Sequence, residues 1–290
     1  MPELPEIETT RRVTGPLMTG RTVESVTVTA PKMVMMPSPG EFSTVLVGRR
    51  ITEVGRRAKI LLVFFDDGSH LVMRFGMTGA LLCVDASEPV HRHARITMEF
   101  DDGTRAEFRD MRMFGHVWLI PPGTEDTFSG IADVGLEPDD PELTGTYLRE
   151  HLGKSSRPIK SALLDQCTVC GLGNIYTDET LWRSRVCPER ACSSLKKKEW
   201  DSIAENIPCV ISDAIRGNAV SSEEFLADGG VHYRHNAFDA YGNKDKPCSR
   251  CGTPMVRSVI GQRSSVWCPR CQKRGRLRFI YNAPADNWEP

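Results

Sequence analysis

Four cysteines near the C-terminal end constrain this chain more than any other feature. Cys248 and Cys251 stand two residues apart, sixteen residues follow, and Cys268 and Cys271 repeat the spacing. Zinc favours tetrahedral coordination, and each Cys-x-x-Cys turn presents two thiolates on one side of it. Gly252 follows the first knuckle, and the runs 256–260 and 264–267 around Gly261 read as a short β-hairpin. The pattern predicts one Zn2+ ion, closed off by Cys248, Cys251, Cys268 and Cys271, in a folding role. A ribbon of this size occupies a small part of 290 residues. The remainder is long enough for one large domain or two modest ones with cores of their own.

The chain carries ten cysteines in all. In a reducing compartment, paired cysteines signal metal more often than disulfides. Cys167 and Cys170 repeat the two-residue spacing, with Cys187 and Cys192 beyond. They admit three readings: a second metal site, a redox pair, or small buried thiols. The apolar, helix-spaced run 159–167 favours buried thiols. Cys83 and Cys209 have no partner spacing and read as core. No run of 18 apolar residues and no signal-peptide pattern occur, so we expect a cytoplasmic protein with no membrane partner.

Thirty-seven Lys and Arg against 38 Asp and Glu give a net charge of −1, which taken alone argues against a polyanionic partner. The distribution reverses that argument. Residues 1–130 hold 15 basic and 17 acidic residues, and residues 131–150 hold one and six. Residues 151–290 hold 21 and 15, and the stretch 241–280 has ten basic residues beside the lone acid Asp245. A basic, zinc-bearing segment therefore sits beyond an acidic connector.

The residue pattern divides similarly. Positions 3–18 have helix-spaced apolar residues, acids in the first turn, and Gly20 after them. From 20 to 122 the chain is strand-like. Two runs, 59–68 and 95–103, each end in Asp-Asp-Gly before another strand-like run, a hairpin signal. Pro121-Pro-Gly123 and the acids up to Pro141 suggest a linker. Helical patterns follow over 142–151, 158–168, 175–186, 196–216 and 221–228, and 230–247 reads as a loop into the ribbon.

Pro2 is the candidate reactive group. Removal of Met1 would leave it a secondary amine. An α-amino group titrates near ~8, against ~10.4 for lysine, so part of it is neutral at physiological pH. A neutral secondary amine attacking an aldehyde-like carbon yields an iminium, an electron sink. Glu3 and Glu6 lie beside it, and a carboxyl group raised by burial can serve as a general acid. Proline in a first helical turn is also a common helix start, so Pro2 and Glu3 alone do not decide the matter.

The opening Met1-Pro-Glu-Leu-Pro-Glu-Ile-Glu-Thr9 resembles that of the formamidopyrimidine-DNA glycosylase family of bacterial base-excision repair enzymes. The resemblance continues through Gly55-Arg-Arg-Ala-Lys59, Met73-Arg-Phe-Gly-Met77-Thr-Gly79 and Phe108-Arg-Asp-Met-Arg112-Met-Phe114-Gly115. It runs on through Pro158-Ile-Lys160, Gly171-Leu-Gly-Asn174-Ile-Tyr176 and the four cysteines, covering about 1–273. It implies an α+β multidomain fold: an N-terminal β-sandwich with flanking helices, a helix–two-turn–helix domain and a zinc-ribbon finger. The corresponding boundaries are 1–130, an acidic linker 131–141, then 142–229, then 230–273 for the end of the capping loop and the finger, with a tail over 274–290.

The resemblance also implies an activity: a bifunctional glycosylase and abasic-site lyase on duplex DNA containing oxidised purines or abasic sites, acting as a monomer near the nucleoid. In that reading Pro2 is the nucleophile, Glu3 the general acid/base and Glu6 a supporting carboxylate. Lys59 serves a phosphate near the flipped nucleotide. Met77, Arg112 and Phe114 fill the void left in the stack. His91, Lys160, Asn174 and Arg263 contact the DNA backbone, and a lesion-capping loop falls within 217–235. Two alternatives differ in class: an endonuclease VIII-like enzyme for oxidised pyrimidines, and a non-catalytic zinc-ribbon DNA-binding paralogue. The chain departs from the family at Met113, where an arginine is usual, and at Cys167 and Cys170, where small residues are usual. Its capping-loop region is more acidic, and its tail runs longer.

Overall fold

The computed structural model describes residues 2–230 and 237–274. The 231–236 part of the expected capping loop and the tail from 275 lie outside the described residues. Helix α1 (Leu4–Met18) starts at a proline-rich turn, where Glu3 and Glu6 form a reciprocal capping box. Nine strands and one helix follow: β1 (Val23–Val28), β2 (Val34–Met36), α2 (Pro39–Leu46), β3 (Ile51–Arg57), β4 (Ile60–Phe65), β5 (His70–Arg74), β6 (Gly79–Asp85), β7 (Ala94–Phe100), β8 (Thr104–Asp110) and β9 (His116–Ile120).

They form two sheets, ordered β1-β7-β8-β6 and β2-β9-β5-β4-β3, all antiparallel except the β2–β9 pair. Both Asp-Asp-Gly runs are hairpin turns, with φ of 85° at Gly68 and 78° at Gly103. Alternate residues of β4 (Leu61, Val63, Phe65) and β7 (Ile96, Met98, Phe100) point into one core between the sheets.

The second half is helical: α3 (Gly145–Leu152), α4 (Ile159–Leu163), α5 (Asn174–Arg183), α6 (Lys197–Gly217) and α7 (Ser222–Ala227). The apolar stripe Trp200, Ile203, Ala204, Ile207, Val210, Ile211 and Ala214 recurs at helical spacing and buries α6 against the other helices. The finger hairpin β10 (Val256–Ile260) and β11 (Arg263–Trp267) lies where the sequence placed it.

Three features depart from the sequence reading. First, α1, one of the helices flanking the sandwich, also joins the two cores. Ile7 belongs to the inter-sheet core and Leu4 to the helical one. The helix therefore buries Thr9, Thr10 and Thr14, whose hydroxyls satisfy themselves by donating to carbonyls four residues back. Second, the helix expected over 158–168 stops at Leu163, because the chain turns through a left-handed Gln166 and Val169 bridges alongside Leu136. Cys167 is consequently exposed rather than buried, as is Cys209 on the outer side of α6, whereas Cys83, Cys170, Cys187 and Cys192 are buried. Third, the acidic connector is clasped to the sandwich. Glu137 accepts from Arg56 at 2.9 Å, Arg57 at 3.0 Å and the Ala58 backbone at 2.7 Å.

Candidate catalytic cleft and nucleic-acid interface

Glu3 is 1% exposed. Its carboxylate caps α5, accepting backbone N–H groups from Gly173 at 2.7 Å, Ile175 at 3.0 Å and Tyr176 at 3.3 Å. Unpaired N–H groups and the helix dipole make such a terminus a natural anion site. The approach demands glycine. A Cβ on Gly173 would lie 2.3 Å from the Glu3 carboxyl carbon, and one on Gly171, at φ 85°, would lie 2.3 Å from Leu4. Gly171-Leu-Gly173 is thus the seat on which the chain's N-terminus rests, and the half-buried Pro2 is adjacent.

Glu6 lies directly behind. It accepts from the Glu3 backbone at 2.8 Å, the Tyr176 hydroxyl at 2.5 Å and the Asn218 amide at 3.2 Å. Burial, reinforced by the Glu3 charge, raises its pKa to about 7. Lys59, at the start of the β3–β4 turn's return, donates to Leu172 O at 2.6 Å. Burial lowers its pKa, opposed by the charges of Glu3 and Glu6, while Arg263 adds to the lowering. Glu3 and Glu6 at the start of the chain, Lys59 and Arg263 therefore share one electrostatic neighbourhood although they come from three distant segments.

Met77, on the β5–β6 turn, is 41% exposed, and Phe114, on the β8–β9 turn, is 48% exposed. Arg112 joins them: its Nη1 lies 3.2 Å from Met77 Sδ, and its guanidinium carbon lies 4.6 Å from the Phe114 ring centroid. The buried Asp110 carboxylate holds both turns, accepting from the Thr78 hydroxyl, from Arg112 N at 3.2 Å and from Gly115 N at 2.7 Å. Met113, with φ of 53°, turns inward and packs on the inter-sheet core, apart from the exposed Met77 and Phe114.

Asn174 opens α5, and its Oδ1 has no partner among the described residues. Arg263 is exposed at the start of β11. His91 is exposed on the β6–β7 connection, where its ring accepts from His93 N at 3.2 Å. Lys160 corrects the sequence reading. It is fully buried, with Nζ 2.7 Å from Asp178 and 2.8 Å from Ser264 O. In this position it braces the strand that carries Arg263 and presents no amine to a phosphate.

Sequence reasoning missed the carboxylates that dock the finger. Asp178 also accepts from the Ser265 hydroxyl at 2.6 Å and Val266 N at 3.1 Å. Glu179 accepts from the backbone of Asp239, Ala240 and Tyr241. The available signal was the polar run Thr177-Asp-Glu-Thr180 inside an otherwise buried helix. Asn218 was missed for lack of any local pattern.

The sulfur atoms of Cys248, Cys251, Cys268 and Cys271 all lie within 4.8 Å of one another, and Cys251 and Cys268 are 3.5 Å apart. Tetrahedral Zn–S bonds near 2.3 Å place sulfurs about 3.8 Å apart, so the cluster fits one structural zinc.

A chain terminus seated on a helix N-terminus, an exposed wedge on one domain and a basic zinc finger on the other define a DNA-processing enzyme of the helix–two-turn–helix class. Three family models match: the formamidopyrimidine-DNA glycosylase N-terminal domain over 1–117, the H2TH domain of the same enzymes over 134–225, and the zinc finger found in FPG and IleRS over 245–274. Formamidopyrimidine-DNA glycosylase of Bacillus cereus ATCC 14579 is 40% identical over 94% of this chain and 100% of its own. That of Pelotomaculum thermopropionicum is 35% identical over 94% and 99%. The crystal structure of Lactococcus lactis Fpg with DNA containing an abasic site superposes with TM-score 0.84 at 29% identity, covering 94% of this chain and all of that one. The same enzyme with FAPY-dG DNA gives 0.83 at 30% identity over 93% and 100%. The chain belongs to the formamidopyrimidine-DNA glycosylase family: it is a base-excision repair glycosylase and abasic-site lyase whose partner is damaged double-stranded DNA.

Proposed function

We propose that Pro2, freed by loss of Met1, is the nucleophile that excises oxidised purines, 8-oxoguanine and formamidopyrimidines, from duplex DNA. The carrying observation is the Glu3 carboxylate fixed next to Pro2 by three backbone N–H groups. The Pro2 nitrogen bonds to the anomeric carbon as the damaged base leaves with the bonding pair and takes up a proton. Glu3 handles the proton at the sugar ring oxygen, opening the ring to an iminium. Loss of a proton from the adjacent sugar carbon expels the 3′ phosphate; a second elimination expels the 5′ phosphate, and water releases the sugar remnant from Pro2. Glu6 supports Glu3 and holds its own proton near neutrality.

Lys59 and Arg263 flank the phosphates of the extruded nucleotide, while His91 and Asn174 hold neighbouring ones. Phosphate contacts of this kind position without reading sequence. Met77 and Phe114 wedge into the vacated stack, and Arg112 bonds the orphaned partner base. Among the described residues no helix is long and apolar enough to cross a membrane. The reading places the enzyme in the cytoplasm at the nucleoid, working as a monomer.

Borohydride trapping on duplexes containing 8-oxoguanine tests the assignment. The expected result is a covalent adduct on Pro2, lost in Pro2→Gly and in protein retaining Met1, whose Pro2 nitrogen is an amide. Absence of an adduct on any oxidised or abasic duplex would leave only a DNA-binding module. Oxidised-pyrimidine duplexes belong in the same assay, because Lactococcus lactis Fpg has been crystallised with such DNA. Faster trapping there would favour the endonuclease VIII-like specificity.

A further inference from the structure

The short turn 171–173 touches two of the groups assigned to the chemistry, Glu3 and Lys59, and the first residue of the helix that follows Pro2 and Glu3. Gly171 O accepts from Leu4 N at 3.2 Å, Leu172 O from Lys59 Nζ at 2.6 Å, and Gly173 N donates to Glu3 at 2.7 Å. A turn with two glycines does not hold such positions by its own backbone preference. One side chain holds it from behind. Gln166 Nε2 donates to Leu172 O at 2.6 Å and to Leu164 O at 3.2 Å, while Gln166 Oε1 accepts from Gly171 N at 3.0 Å. Two carbonyls on the nitrogen and one N–H on the oxygen fix the orientation of the amide and use both of its donors. Lys59 and Gln166 thus grip the same carbonyl oxygen from two sides.

The backbone of Gln166 has φ of 69°. A non-glycine residue in this region costs about 1 kcal/mol. Glycine would relieve that strain at no loss to a purely structural turn. The strain is tolerated because it aims the side chain at the turn, and the Gln166 carbonyl adds a bond from Gly135 N at 2.8 Å.

We propose that Gln166 is a positioning residue for the reaction. Through Leu172 O it sets the Lys59 ammonium, and through Gly171 and Gly173 it sets Leu4 and the Glu3 carboxylate against Pro2. It touches no substrate atom. The inference rests on the assignment of Pro2, Glu3 and Lys59 above.

The test compares the full-length enzyme with Gln166→Gly and Gln166→Glu. The first relaxes the backbone and removes the amide. The second keeps the size and the bond from Gly171 N, and removes the donor to Leu172 O. Single-turnover borohydride trapping on 8-oxoguanine duplex is read beside the Kd for a duplex carrying a non-cleavable tetrahydrofuran site. The expected result is a trapping rate lowered by about 100-fold in both variants with Kd within about threefold of wild type, since small misplacements of reacting groups cost rate before binding. Wild-type rates in both variants would overturn the proposal. So would a rate loss matched by an equal loss of DNA affinity and thermal stability, which is the signature of a merely structural residue. Absence of trapping in the wild-type enzyme would remove the Pro2 assignment itself, and this inference with it.

Discussion

Glu3 and Phe114 belong to the same domain, and both are proposed to meet DNA, yet they are built oppositely. The Glu3 carboxylate is sealed from solvent and fully hydrogen-bonded, and its neighbour Glu6 has three donors of its own. Phe114 stands about half exposed, stacked on Arg112, which leans on an equally open Met77. The buried junction is complete without DNA, so its groups need no rearrangement when the substrate arrives. Met77 and Phe114 leave apolar surface open to solvent, the surface that the proposed function would cover with the vacated base stack. Under the proposed roles, the fold alone organises the chemistry and DNA completes the recognition surface.

Substitutions should separate the two regions. The largest effect is expected for Glu3→Gln, which leaves an amide N–H₂ facing backbone donors. Single-turnover excision of 8-oxoguanine should fall by about 1,000-fold, at the upper part of what one acid/base group supplies. A tenfold fall would mean that the buried junction is not the chemical centre.

Glu6 gives the next effect, on stability. Its folded pKa of about 7 stands above the unfolded 4.5, so the folded state binds the proton more tightly. This group's contribution is therefore complete below pH 4.5 and is lost as pH rises toward 7, by up to roughly 3 kcal/mol. Urea denaturation at several pH values should show that slope in wild type and lose it in Glu6→Gln.

Removing zinc with a chelator, or by Cys268→Ser, should cost about 100-fold in affinity for lesion duplex, because metal binding and folding of such a finger are one process. Zinc content read by atomic absorption should be one per chain before treatment, and two would point to Cys167 and Cys170. Phe114→Ala and Met77→Ala should give the smallest change. We expect about tenfold weaker binding to lesion duplex, on the scale of 1.4 kcal/mol, with an unaltered melting temperature because both side chains are exposed. A drop in melting temperature would show that the wedge is core after all.

The α+β plan, the hairpin turns at Gly68 and Gly103, and the finger hairpin were legible in the sequence, because each follows from local periodicity or from a turn chemistry confined to a few residues. The four thiolates were legible for the same reason: their spacing is itself the ligand geometry. Pro2, Glu3, Lys59, Met77, Arg112 and Phe114 stand in motifs that mark them as candidates, and the structure brings Glu3, next to Pro2, and Lys59 to one turn. Lys160 shows the limit. A lysine reads as a surface cation until the helix carrying Asp178 is packed against it. Cys167 and Cys170 show the same limit in reverse. One spacing gave one exposed and one buried thiol, because α4 ends earlier than its apolar pattern.

The sequence by itself determined where the hairpins turn and which cysteines can share a metal, since those choices are made between neighbours a few residues apart, whereas pairings such as β1 with β7 and β2 with β9 join distant segments. Only the tertiary structure decided that α1 is threaded between two cores and that Glu3 caps a helix 170 residues away. It also decided that Glu137 clasps the hairpin before Lys59 and that Gln166 braces the turn beneath them all. Those arrangements depend on desolvation and on hydrogen bonds between distant segments, and no local pattern encodes a partner that the chain meets only after folding.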